Sequence, residues 1–339
     1  MPRLRIPAKT FARLRPLAEA AQEQGLALYA VGGCVRDWLL GRKDVSDLDL
    51  VCEGSPAGLA RLAAKSLGGE AESFGAFKTW RVKGESLRVD FAATRKEEYP
   101  EPACLPKVSP ADIRLDLFRR DFTINAMAVP LTSRGPGEVL DPYGGLKDLR
   151  AGLVRVLHHA SFRDDPTRVF RAARFLCRFK FRPAPGLVGM ANNSLYGCIA
   201  GRLSRHRISQ ELLRILAEAE PEAPLRRLRS WGWLDIIHPD LHARVSGRTV
   251  EDRLGSLALA MGERGEEFMR SLPVEHGMSR RILDALRVSA GRAAPRSPLD
   301  PVTARIVAAA FPRLPKSALK PVFLAGEDLK AAGLKPGPE

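Results

Sequence analysis

The sequence predicts a chain that is α+β as a whole, with a mixed first half (α/β or α+β) and a helical second half. Short apolar runs punctuated by glycine recur through residues 26–92 and alternate with helical stretches. From about Ala151 the strand signal fades, and Leu, Ile, Phe and Val recur at helical spacing. The 339 residues are 45% hydrophobic and 27% charged, the balance of a globular protein with two or three cores.

Taken in order, residues 26–31 (LALYAV) form an apolar strand ending in Gly32-Gly33, and residues 48–51 form a second. Residues 34–40 and 56–66 read as helices, stopped by Gly41 and by Gly68-Gly69. Residues 78–82 and 87–92 alternate well enough to pair across a turn at 83–86. Residues 96–118 carry prolines and mixed charge and read as a long loop. Helical spacing returns at 165–179, 204–219 and 224–231, while residues 286–305, rich in Ala, Arg, Ser and Pro, read as a linker.

Lys and Arg number 54 against 39 Asp and Glu, a net charge of +15, which excludes an acidic disordered tail protein. The excess is uneven: residues 1–150 carry +3 and residues 151–339 carry +12. Residues 155–207 hold 11 basic and 2 acidic side chains, a footprint suited to a polyanion such as RNA, although solvated arginine faces on helices would give the same sum. No stretch approaches the roughly 18 apolar residues of a membrane span. The basic N-terminus lacks the apolar block of a signal peptide, so a cytoplasmic location is expected. Five cysteines without a C-x-x-C pair indicate neither a disulfide framework nor a zinc site.

The strongest local feature is Gly32-Gly33-Cys34-Val35-Arg36-Asp37, followed by Asp47-Leu48-Asp49. A strand entering Gly-Gly and then a helix lets backbone N–H groups approach a phosphate, and Arg36 adds a forked donor. Asp47 and Asp49 sit two apart on a strand, so their carboxylates share a face and repel unless a cation lies between them. Mg²⁺ held by such carboxylates together with substrate phosphates is the usual arrangement for phosphoryl chemistry. A bare D-x-D is also compatible with a solvated strand end.

Five segments occur in an order that resembles one family: GGCVRDWLLG, DLDLV, RRDFTINAMAV (119–129), DPYGGLKDLRAGLVRVL (141–157) and DDPTRVFRAARF (164–175). They resemble the class II tRNA nucleotidyltransferases, the CCA-adding and poly(A) polymerase family, over residues 27–215. The resemblance implies a polymerase-β-like head (1–150), a helical neck that reads the base (151–220) and a helical body that binds tRNA (221–339). It also implies template-independent addition of nucleotides to the 3′ end of tRNA. Asp47 and Asp49 match the metal ligands, and Gly33, with Gly32 beside it, and Arg36 match the holders of the triphosphate. Asp90, on the strand at 87–92, is the candidate third carboxylate.

Arg119 and Arg120 match positions near the nucleotide, with Asp121 and Asn125 close behind. Asp165 and Arg168 match the pair that reads the base edge, and Arg171 and Arg174 continue the same helical spacing. The chemistry suits the pair. A carboxylate accepts from the exocyclic amine of adenine or cytosine while Arg donates to a ring acceptor, and uracil and guanine lack that pattern. Asp165 before Pro166 is equally a helix cap. His206 stands where the family motif has Glu and reads as scaffold.

Residues 103–108 and 156–175 resemble the A-adding branch most. CC-adding, full CCA-adding and poly(A)-polymerizing enzymes remain alternatives, as does a catalytically silent RNA-binding protein. The expected partners are tRNA and ATP, with CTP open, and the expected cofactor is Mg²⁺. Residues 326–339 resemble a family segment that usually leads into a further helix.

Overall fold

The computed structural model describes residues 4, 6–74, 79–85, 87–290 and 301–310. It divides into two compact units, residues 1–202 and 203–339.

The first unit opens with helix α1 (Ala8–Glu23), strand β1 (Leu28–Val31), helix α2 (Gly33–Leu39), strand β2 (Asp47–Cys52) and helix α3 (Ala57–Leu67). Strands β3 (Glu70–Phe74), β4 (Thr79–Lys83) and β5 (Arg88–Ala93) follow. Then come a hairpin of β6 (Arg95–Glu98) and β7 (Lys107–Pro110), helix α4 (Ile113–Phe118), and strands β8 (Ala128–Thr132) and β9 (Gly135–Pro136). Helix α5 (Gly145–Ala151), strand β10 (Leu153–Val154), helices α6 (Ser161–Asp164) and α7 (Thr167–Arg178), strand β11 (Arg182–Pro183) and helix α8 (Leu187–Tyr196) complete it.

Seven strands form one sheet in the order β3-β4-β5-β2-β1-β8-β9. Only β2 and β5 run parallel, and their register sets Asp49 opposite Asp90 and Asp47 opposite Arg88. Alternation along β2 decides its chemistry. Leu48 and Leu50 are fully buried, which turns Asp47 and Asp49 to the other face. Ala30, Val89 and Phe91, in register with these leucines, add to the buried layer, while Val31, opposite Asp49, is buried on the other face. The hairpin expected from residues 78–92 forms as β4 and β5, paired Trp80 to Phe91 through Lys83 to Arg88.

Residues 96–118, expected as a loop, are instead ordered by β6, β7 and α4. Arg95, Lys96, Glu97 and Glu98 pair with Pro110, Ser109, Val108 and Lys107. Proline survives here because β6 and β7 form a separate two-stranded sheet in which each has a free edge. Among the described residues, the short parallel pair β10 and β11 is the one strand pairing after Ala151.

The second unit holds α9 (Arg205–Leu216), α10 (Glu222–Ser230), α11 (Val250–Ala260), α12 (Gly265–Ser271), α13 (His276–Ser289) and α14 (Pro301–Ala310). Leu212, Ile215, Leu225, Leu228, Trp233, Leu254, Phe268 and Ile282 form its core. His206 lies on α9 and is exposed. Of the stretch expected as a linker at 286–305, the described parts are helical at both ends, α13 running to Ser289 and α14 starting at Pro301. Residues 291–300 and 326–339 lie outside the described residues. Among the described residues no helix is long and apolar enough to cross a membrane.

Candidate active site

A cleft of about 560 Å³ in the first unit gathers Gly32, Gly33, Arg36, Asp47, Asp49, Arg119, Arg120, Asp165, Arg168, Arg171 and Arg174. These are eleven of the twelve residues expected from the sequence. The twelfth, Asp90, faces an adjoining cavity that also includes Asp49.

The glycine turn is built for close approach. Gly32 has φ +73°, and a Cβ there would stand 2.6 Å from Nη1 of Arg120. Gly32 donates its N–H to Met127 O at 3.1 Å, and its own carbonyl accepts from Arg36 N at 3.1 Å, which starts α2. Arg36 is 4% exposed and fixed on every side. Its Nε and Nη2 each donate to Asp37 at 3.1 Å, and its Nη1 donates to Asn125 Oδ1 at 2.5 Å. The guanidinium also lies 4.6 Å from the Phe179 ring.

Asn125 connects Arg36 to Asp121, donating through Nδ2 at 2.9 Å. Asp121 also accepts from the Phe122 N–H at 2.8 Å and from Arg171 Nε at 2.8 Å and Nη2 at 2.6 Å. Burial alone would raise its pKa. The Arg171 charge and the hydrogen bonds from Asn125 and Arg171 outweigh burial and hold it at about 2.

Arg119 and Arg120 follow α4 directly and share one buried acceptor. Asp116, fully buried, accepts from Arg119 Nε at 2.9 Å and from Arg120 Nη2 at 3.0 Å. Burial pushes this carboxyl up, but the two arginines bring it below the ordinary carboxylate value. Arg120 Nε is buried with no hydrogen-bond partner.

Arg168 reaches back from the first turn of α7, donating Nη1 to Ser161 Oγ at 2.6 Å and Nη2 to Arg119 O at 2.7 Å. Asp165 has extended backbone, and its Oδ1 accepts from Thr167 N at 2.9 Å and Thr167 Oγ1 at 2.5 Å. The helix-cap role therefore holds for one carboxylate oxygen while the side chain still lines the cleft. The regular helix consequently begins at Thr167 rather than Asp165.

Asp47 pairs with Arg88 Nη2 at 3.1 Å. Asp49 stays in solvent contact at the bottom of the cleft, yet the protein around it costs it hydration and raises its pKa. Arg120 opposes that shift, and the charges of Asp90 and Asp47 reinforce it. Two same-face carboxylates, one of them resisting ionization, are a donor set that a divalent cation would relieve, and they fit one. Asp90 does not complete a triad here. Both its oxygens are held at 2.7 Å by Arg81, and no group of three or more ligating side chains occurs among the described residues.

Sequence reasoning missed Glu97, Asp116, Tyr99 and Phe175. Glu97 Oε1 accepts from Arg95 Nη2 at 3.1 Å and Arg119 Nη1 at 3.0 Å, while Oε2 accepts from Tyr99 OH at 3.0 Å. The signal was the spacing of Arg95, Glu97 and Tyr99, two apart on a strand-like stretch. Phe175, 4% exposed, has the guanidiniums of Arg36, Arg171, Arg174 and Arg178 within 5.3–5.8 Å of its ring.

A mixed sheet carrying two same-face carboxylates beside a glycine turn, with arginines converging on the same cleft, defines a nucleotidyltransferase-type domain. Residues 28–155 match the family of the poly A polymerase head domain. The A-adding tRNA nucleotidyltransferase of Geobacter sulfurreducens is 40% identical over 270 residues, covering 78% of this chain and 31% of that protein. The A-adding tRNA nucleotidyltransferase of Aquifex aeolicus is 46% identical over 157 residues, covering 46% of this chain and 19% of that protein. This chain thus spans a third or less of the length of these two relatives. A solved tRNA nucleotidyltransferase in complex with a primer tRNA and an incoming ATP analog is similar with a TM-score of 0.64 at 27% identity. That match covers 86% of this chain and 93% of the other. The resemblance to class II tRNA nucleotidyltransferases and the expected α+β fold are borne out. Nucleotidyltransferases of this kind typically use a divalent metal.

Proposed function

We propose that this chain transfers nucleotides without a template to the 3′ end of tRNA, and that the reaction it performs is addition of the terminal A from ATP. The observation that carries this reading is the convergence of eleven residues, drawn from β2, the β1–α2 turn with α2, the segment that follows α4, and α7 with the residue two before it, on one cleft. The naming of the similar Geobacter and Aquifex proteins as A-adding enzymes supports the choice of A.

The residues divide the work. The Gly32-Gly33 turn and Arg36 receive the triphosphate, with Asn125 and Asp37 locking the Arg36 fork so that little side-chain entropy is lost on binding. Arg171 and Arg174, gathered around Phe175, add positive charge along the same wall. Arg168, steadied by Arg119 O and Ser161, donates to a ring acceptor of adenine, and Asp165 accepts from its exocyclic amine. Asp47 and Asp49 are the residues that hold the metal, and Mg²⁺ is the ion we assign to them. When bound it neutralizes charge on the attacking and leaving oxygens. The roles of head (1–150), neck (151–220) and tRNA-binding body (221–339), and a cytoplasmic location, belong to the same proposal.

Incubating the protein with tRNA ending in CC, labelled ATP and Mg²⁺ tests the reading. Wild type incorporates label, and Asp47→Ala loses incorporation while binding tRNA within a few-fold. Equal activity of the variant would overturn the metal assignment, and absence of incorporation by wild type would overturn the function.

A further inference from the structure

A second cavity of about 290 Å³ opens on the face of the sheet that carries the aspartates. It shares Asp49, Arg119 and Arg120 with the nucleotide cleft. Its other walls include Phe74, Arg81 and Asp90. Phe74 is 41% exposed at the end of β3, and the Arg81 guanidinium covers its ring at 4.7 Å. Arg81 is itself oriented by its forked pair to Asp90.

Nucleotidyl transfer places the attacking hydroxyl on the side of the α-phosphate opposite the leaving pyrophosphate. With the triphosphate proposed on the glycine turn and Arg36, the hydroxyl must approach from another side of Asp49, and this second cavity, which Asp49 also lines, offers one. Its make-up suits a nucleotide. An aromatic ring stacked with a guanidinium is a platform for a base of any sequence. Arg119 and Arg120, the latter with its buried unpartnered Nε, offer positive charge to a backbone phosphate.

We infer that this sheet-face cavity receives the 3′-terminal nucleotide of the acceptor RNA, its base stacked on the Phe74–Arg81 pair and its ribose hydroxyl directed toward Asp49. The inference rests on the proposed transfer to an RNA 3′ end. It makes Phe74 and Arg81 binding residues for the acceptor, and Asp90 a positioning residue that acts through Arg81.

The test needs no catalysis. A tRNA acceptor-stem minihelix carrying 2-aminopurine as its 3′-terminal base is titrated with the full chain in the absence of ATP. Wild type quenches the probe as the base stacks. Phe74→Ala loses most of the quench and weakens binding about tenfold, a change inside the range for one stacked base, whereas Phe74→Tyr retains the quench. Because Phe74 is exposed, both variants keep the wild-type melting temperature. Full quenching by Phe74→Ala, or quenching equally lost in Phe74→Tyr, overturns the inference. A wild type that quenches normally but incorporates no nucleotide onto any tRNA end would instead sink the proposed function and leave the acceptor site standing.

Discussion

Arg168 donates through Nη2 to the backbone carbonyl of Arg119 at 2.7 Å. A residue of the first turn of α7 thereby ties itself to the residue that follows α4, 49 positions earlier. Its second anchor, Ser161 Oγ, leaves the guanidinium plane fixed before any nucleotide arrives. A reader of base edges needs this rigidity, because discrimination is lost when the donor fork can swing.

The partner in that reading, Asp165, serves two roles that one substitution separates. Asn caps helices as well as Asp does, so Asp165→Asn keeps the bond from Thr167 N and the melting temperature within a degree or two. It replaces an acceptor at the base edge with a donor. We expect preference for ATP over UTP and GTP to fall about tenfold or more, measured as incorporation of the four nucleotides in parallel. Unchanged selectivity would reduce Asp165 to a helix cap.

Asp121 provides a pH signature. Its folded-state pKa of about 2 lies below the ordinary unfolded value near 3.9, so its contribution is fully present above about pH 4 and disappears as pH falls through about 2. That difference corresponds to about 2–3 kcal/mol. Denaturant unfolding of wild type and Asp121→Asn should differ most at neutral pH and converge in acid. A gap that does not change with pH would contradict the assignment of the shift to Arg171 and Asn125.

Asp49 has the opposite sign. Its raised pKa means that ionization works against the folded state, a penalty absent at low pH and growing as pH rises through the folded value. Asp49→Asn should therefore raise the melting temperature slightly without divalent ions, a small effect because the carboxylate keeps solvent contact. It should also abolish both nucleotide incorporation and the stabilization of the protein by added Mg²⁺. Calorimetry with and without Mg²⁺ checks the two stability effects and labelled ATP checks incorporation, and a variant stabilized by Mg²⁺ as much as wild type would remove Asp49 from the metal site.

Much of this site was legible in the sequence because strand and helix periodicity place residues on faces. Two carboxylates two apart on an apolar strand must share a side, and Arg168, Arg171 and Arg174 at three-residue spacing must share a helix face. What escaped was held by contacts distant in sequence. Glu97 and Asp116 sit in a proline-bearing stretch that reads as loop, and their roles exist only because the β6–β7 hairpin and α4 fold back to brace Arg119. Asp90 fell in register with Asp49 as a third carboxylate should, but its neighbour across the β4–β5 pair, Arg81, claims both its oxygens. Local pattern predicted the face of Asp90 and had no access to its cross-strand partner.

The most direct measurement offers the protein three tRNA ends, at the discriminator base, at C and at CC, each with labelled ATP or labelled CTP in Mg²⁺. The account predicts incorporation of A onto the CC end and no incorporation of C onto the discriminator base. Addition of C to the discriminator base would contradict the A-adding assignment, and no incorporation onto any end would contradict nucleotidyl transfer itself.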